Sequence, residues 1–227
     1  MKTKLVSEVL SLDNQLRQRI LERSRELFFR YGYSRLSMDE IAEDLGTSKA
    51  TLYRYFPDKE ALLRTVIEKT SEQVLSTLRS TSADDKLSVR DKLSGFLTFL
   101  SHFMSGLSRE LIQDLRSRLP EVWGELEAFR REKIFPIISE VVAEGVAMKE
   151  IRSDLDGRLF LEMFFFLAQE FMNPDWLVTN DYAPSELLNS IIRIVFYGIF
   201  IDDRLSQTRK TRNHIKDRKN AKKKSGN

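Results

Sequence analysis

The stretch ILERSRELFFRYGYSRLSMDEIAEDLGTSKATLYRYFPDKEALL, Ile20 to Leu63, carries helical patterns broken by sharp punctuation. Ile20, Leu21, Leu27, Phe28 and Tyr31 recur on one stripe, Arg17, Glu22, Arg23, Arg25 and Glu26 fall largely elsewhere, and Gly32 stands where a C-terminal cap is needed. Ser37-Met-Asp-Glu40 is a capping box, in which the serine oxygen accepts from a helix N–H and the glutamate accepts from the serine's own N–H. The short helix it opens turns Ile41, Ala42 and Leu45 inward and meets Gly46, which tolerates a positive φ. Thr47 and Ser48 bound a third helix, Lys49 to Tyr55, which Phe56-Pro57 must end because the residue before a proline disfavours helix. Asp58 caps a fourth helix running from Lys59 toward Arg79, with Leu62, Leu63, Val66, Ile67, Val74, Leu75 and Leu78 as its apolar positions.

A short capped helix, a turn at glycine and a second short helix make a helix-turn-helix, the unit that lays its second helix into the major groove of DNA. The internal spacing fits: Ala42 is small where the helices cross, Gly46 stands at the turn, and Leu52 pins the second helix to the core. That helix offers Lys49, Thr51, Tyr53, Arg54 and Tyr55, with Ala50 leaving room for close approach. Lysine, hydroxyls and helix N-termini suit phosphate oxygens, and long or methyl-bearing side chains reach base edges. Spacing alone leaves open an αα-corner in an ordinary bundle, its charges a solvated face.

The same residues resemble the N-terminal domain of tetracycline-repressor-like (TetR family) transcriptional regulators. The shared signature is an aromatic-Gly pair after the first helix, Ile-Ala in the second, Gly then Ser, Thr-Leu-Tyr, an aromatic before Phe, then Lys and Leu-Leu. The resemblance implies an all-α homodimer whose three N-terminal helices bind DNA and whose C-terminal helices bind a small inducer and pair the subunits. By position, it implies that Ser37 contacts phosphate, Ser48 caps the recognition helix, and Lys49, Ala50, Thr51 and Tyr53 face the major groove. Tyr55 and Lys59 are implied to grip the DNA backbone. Thr47 replaces the family's usual aliphatic residue and Ala50 its common glycine, changes that bear on helix packing and on how closely the backbone approaches DNA.

Outside this segment, the chain's 227 residues and 26.6 kDa suffice for one or two domains with a real core. Nine glycines and five prolines, with apolar residues at helical spacing and few alternating stretches, point to an all-α protein. The formal net charge of +3 hides three regions. Residues 206–227 hold nine Lys or Arg against Asp217 alone, a net +8, while 1–64 carry +2 and 65–205 carry −7. The basic tail is expected to be disordered. With no cysteine and only His102 and His214, disulfide, thiolate and His-rich metal chemistry are excluded, and no metal site or cofactor is expected. No signal peptide and no run of 18 apolar residues is present, so a soluble cytoplasmic protein without a membrane partner is expected.

Further helices are expected at about 88–106, 108–118, 121–147, 155–173 and 185–204. Pro120 opens one, Asp154 or Asp156 caps another that Asn173-Pro174 ends, and Pro136 must kink or break the long one. Stripes such as Phe96, Leu97, Leu100, Phe103, Met104 and Leu107 are ordinary core by default, although the resemblance implies a cavity among these helices. His102, Phe103, Trp123, Phe129, Gln169 and Glu170 are the candidate ligand contacts, and so few ionisable groups favour an apolar or amphipathic effector. The segments Leu155 to Phe171 and Ile191 to Ile201 have almost no polar face, which predicts a two-fold dimer through them, with a monomer burying both as the alternative.

An enzyme is disfavoured, because no glycine-rich phosphate loop or nucleophile-elbow serine occurs and no catalytic residue emerges. A non-specific nucleic-acid or membrane binder acting through the tail is the other class. The expectation is a three-helix DNA-binding domain over 1–64, a larger helical effector-binding and dimerisation domain over 65–205, and the tail. The expected function is that of a homodimeric repressor on a palindromic double-stranded operator, released by a small apolar or amphipathic effector.

Overall fold

The computed structural model describes residues 2–154, 156–171, 179 and 184–195. Among them are ten α-helices and no β-strand: α1 Lys2–Tyr31, α2 Met38–Asp44, α3 Lys49–Tyr55, α4 Lys59–Ser82, α5 Val89–Ser105, α6 Arg109–Ser117, α7 Pro120–Phe129, α8 Phe135–Ala147, α9 Gly157–Phe171 and α10 Pro184–Val195. The basic tail, Asn173-Pro174 and the apolar run beyond Val195 lie outside the described residues.

The helix starts are chemical. Ser37, Ser48, Asp58, Ser88 and Ser108 each cap a helix by accepting a backbone N–H three residues on, at 3.2, 3.0, 2.7, 3.1 and 3.2 Å. Of the two candidate caps for α9, Asp156 takes the role, accepting from the N–H groups of Arg158 and Leu159 at 2.9 and 3.1 Å, while Asp154 pairs with Arg152. The expected single helix over 121–147 is instead α7 and α8 joined by a wide π-helical turn, Arg130–Ile134. Pro136 is the physical reason: it has no N–H to donate, and the break places it in the first turn of α8, where none is needed.

Two apolar cores organise the helices. The first gathers Ile20, Phe28, Ile41, Leu52, Leu62 and Leu63, and it also takes in Leu111, Leu115 and Val122 from α6 and α7. The second is built from Leu93, Val142, Ile151, Leu161, Phe164 and Leu188. Each fully buried Leu, Ile or Phe contributes about 1.5–3 kcal/mol. Buried Lys92 of α5 is matched by Glu144 of α8 at 3.1 Å.

The N-terminal helices meet α6 at a tight polar joint. Ser108 donates its N–H to the Phe29 carbonyl at 2.8 Å. Buried Asp114 accepts both the N–H of Ser34, at 2.8 Å, and its hydroxyl. Gly32 has φ +84°, and a Cβ there would stand 2.9 Å from Glu110 Cβ and 3.0 Å from Asp114 Oδ2. No larger residue fits without moving α6.

Candidate DNA-reading face and ligand cavity

The helix-turn-helix forms from short-range chemistry. Ser37 and Glu40 complete their box reciprocally, Glu40 accepting the Ser37 N–H and hydroxyl at 2.7 Å each. Those bonds hold the Glu40 carboxyl below its ordinary range. Gly46 turns the chain at φ +63°, and the Thr47 backbone N–H closes the turn on the Ala42 carbonyl at 2.9 Å, a bond that does not depend on the side chain at 47. Ala42 and Leu52 are buried as the spacing requires. Arg23 of α1 bridges to Asp44 at the end of α2, and Arg19 donates to the Leu45 carbonyl at 2.9 Å, tying the motif to its support.

The outer face of α3 carries Lys49, Ala50, Tyr53 and Arg54, all exposed, with Thr51 half-buried. Ser48 and Thr51 share a hydroxyl hydrogen bond of 2.8 Å. Lys49 pairs with Asp39 at 2.7 Å and lies 5.9 Å from the Tyr53 ring, and the hydrogen bond to Asp39 raises its ammonium above the ordinary lysine range. Asp39 was not singled out from the sequence, since nothing in a ten-residue separation marks it as the partner.

Three flanking candidates are occupied within the protein. The Ser37 hydroxyl is donated to Glu40. Tyr55 donates its hydroxyl to Asp13 of α1 and accepts from Arg54 at 2.9 Å. Lys59 turns toward the α1–α2 loop, donating to the carbonyls of Tyr33 and Leu36 at 2.9 and 2.6 Å beneath the Tyr33 ring, and burial pushes its ammonium down. Two of its three protons therefore hold the loop in place.

Between α4, α5, α6, α7, α8 and α9 lies a cavity of about 240 Å³. Its wall is almost wholly apolar, including Ile67, Phe96, Phe99, Phe103, Met104 and Phe164, with Thr70 and Ser71 as hydroxyl groups. Thr70 spends its hydroxyl proton on the Val66 carbonyl at 2.7 Å. Of the six candidate ligand contacts, Phe103, Trp123 and Phe129 line the cavity. His102 and Glu170 do not: both are exposed, because they fall on the outer sides of α5 and α9. The side chain of Gln169 lies outside the described residues. The ionisable residue in the described wall is Arg130, which the sequence reading missed. Its register with Trp123, seven residues earlier, and with Leu126 and Ile134 was the available signal. Among the described residues, no cluster of His, Asp and Glu could hold a metal ion, and no helix is long and apolar enough to cross a membrane.

A capped helix-turn-helix with its second helix exposed, set on a helical body, defines a DNA-binding transcriptional regulator. Residues 20–66 match the family described as bacterial regulatory proteins, tetR family. The HTH-type transcriptional regulator UidR of Escherichia coli is 38% identical over 156 residues, covering 66% of this chain and 78% of that protein. YvaF of Bacillus subtilis, named as an HTH-type transcriptional regulator, is 28% identical over 191 residues, covering 84% and 99%. The structure of the Bacillus subtilis regulator FadR in complex with stearoyl-CoA shares the fold, with a TM-score of 0.55 and 21% identity over 80% of this chain and 98% of that one. The chain belongs to the tetR family.

Proposed function

We propose that the protein is a cytoplasmic homodimeric repressor that binds a palindromic operator and leaves it when a small apolar or amphipathic effector fills the cavity. Residues 1–64 form the reading part, and 65–205 hold the effector and the partner subunit. Lys49, Ala50, Thr51 and Tyr53 face the major groove from α3, and Ser48 presents the helix N-terminus to phosphate. Ser37, Tyr55 and the remaining proton of Lys59 flank that face as backbone contacts.

The observation that carries the effector reading is that the cavity shares side chains with the apolar core on which the reading part rests. Leu111 and Leu115 of α6 and Ile67 of α4 line the cavity, and all three also belong to, or pack on, the first apolar core. An effector that prefers one placement of α6 thereby biases the placement of α1 to α3, by its differential affinity for the two states. FadR, which shares the fold, is held in complex with an acyl-CoA, a ligand with a long apolar part. Dimerisation is supported by an exposed apolar row: Leu159, Met163 and Phe166 on α9 are 57%, 53% and 64% exposed, and Ile194 on α10 is 79% exposed. These exposures favour a dimer over the alternative of two fully central helices in a monomer.

The deciding experiment selects bound fragments from genomic DNA and measures their affinity by fluorescence anisotropy. Lys49→Ala and Tyr53→Ala together are expected to weaken the selected site by about a hundredfold or more. Truncation after Leu205 is expected mainly to flatten the salt dependence. Loss of specific binding on truncation, with the double variant unaffected, would assign recognition to the basic tail instead.

A further inference from the structure

Two guanidinium groups crowd the indole of Trp123: Arg130, which lines the cavity with it, and Arg116, which stands behind the indole and is not part of the wall. The Cζ of Arg116, from α6, lies 5.3 Å from the Trp123 ring centroid, and that of Arg130, from the π turn, lies 5.2 Å from it. The nearby carboxylate is Glu127, and its Oε1 already accepts the indole N–H at 2.8 Å. Arg130 approaches that same oxygen only at 3.9 Å. The Nη1 of Arg116 is buried and has no hydrogen-bond partner. Two positive charges thus share one partly committed negative charge, in a place half-screened from water.

This arrangement is costly as it stands. A buried donor without an acceptor loses its hydration and gains nothing in return, and arginine cannot relieve the cost by shedding a proton. Burial pushes the Arg130 guanidinium below its ordinary range, with Arg116 adding to the effect and Glu127 opposing it. Arg130 nevertheless keeps 39% of its side-chain surface accessible. It stands at the edge of the cavity, with one side on the apolar wall and the other toward solvent. What the corner lacks is an acceptor for Arg116 Nη1 and a second negative charge beside Glu127, and what the adjoining wall offers is room for an apolar body.

We infer that the effector is an amphipathic anion, with its apolar body in the Phe103–Phe164 cavity and its carboxylate or phosphate head held by Arg130 and Arg116 beside Trp123. This rests on the effector reading of the cavity and adds the chemistry of the head group. Planar guanidinium forks match carboxylate and phosphate oxygens, and the indole face fixes their planes. Thr70 and Ser71, the other polar groups of the wall, carry no charge and set no preference for an anion.

The test uses Trp176→Phe protein, in which Trp123 is the remaining tryptophan of the chain's two. Decanoate, decyl phosphate, decanol and inorganic phosphate are titrated below micelle-forming concentrations while Trp123 fluorescence is followed. Decanoate and decyl phosphate are expected to bind about tenfold to a hundredfold more tightly than decanol, as charge-assisted hydrogen bonds require. Inorganic phosphate is expected to bind far more weakly than decyl phosphate. Arg116→Gln and Arg130→Gln, singly and together, are expected to erase the preference for anions while decanol still binds within about twofold of its original affinity, which also shows that the variants fold.

Equal affinity for decanol and decanoate, or a preference that survives in the double variant, would overturn the head-group assignment and leave the cavity reading standing. Inorganic phosphate binding as well as decyl phosphate would show that the anion takes no help from the cavity, and the assignment fails. If none of the amphiphiles binds, the effector reading of the cavity fails with it.

Discussion

The reading part and the helical body use helices in opposite ways. In the first, the short helices α2 and α3 are fixed at their ends: Ser37, Ser48 and Asp58 cap, Gly46 turns, and Leu52, Leu62 and Leu63 fill a core without residual exposure. In the second, helices stand around a 240 Å³ hollow, α7 and α8 joined by a π turn, and α9 leaves Leu159, Met163 and Phe166 facing outward. In the proposed function, the closely packed part is the one that meets base edges, and the part that takes in the effector is the one that gives up close packing.

The sharpest way to break this contrast is to cut the same side chain from each part. Leu52→Ala, in the closed core, is expected to cost about 2–5 kcal/mol, whereas Leu100→Ala, half-buried on the cavity wall, should cost under about 1.5 kcal/mol because its neighbours already border empty space. Denaturant unfolding of the two variants measures both, and equal losses would mean that the body is packed as tightly as the head. Met163→Asp acts on the outward row. Melting midpoints of the parent protein are expected to rise with concentration, and the substitution to weaken self-association by about tenfold or more and suppress that rise.

The capping chemistry of the head sets the next scale. Ser48→Ala removes the acceptor of the Thr51 N–H and is expected to cost about 1 kcal/mol, with a loss of operator affinity larger than the loss of stability if the same end of α3 touches phosphate. The smallest effect concerns pH. Because the folded Glu40 value lies below its ordinary 4.5, its contribution is fully present above that value and is lost as pH falls through the lower folded one. Ser37→Ala should flatten acid denaturation in that range, read from unfolding midpoints at successive pH values.

The same contrast explains what could be read from sequence. The first three helices, their caps and the residues on α3 were legible because each rests on neighbours within about four positions, where spacing carries the information. Pro120 and Pro136 marked helix boundaries of the body for the same reason. The cavity wall was not legible in detail. Phe103, Trp123 and Phe129 fell on it, but His102 and Glu170 point outward, and Arg130 entered unannounced from a turn whose geometry depends on Pro136 and on packing across several helices. The partners of Lys59 and Lys49 were hidden too, since both were drawn to groups brought near only by the fold.

The joint at Gly32 has a mechanical consequence. Where the α1–α2 turn rests on α6, there is no clearance for even a methyl group, and Asp114 clamps Ser34 by two hydrogen bonds across the seam. A coupling of this kind has no backlash. Loose contacts let one part travel some distance before the other follows, whereas here, in the proposed function, a displacement of α6 toward the turn has no gap in which to be lost.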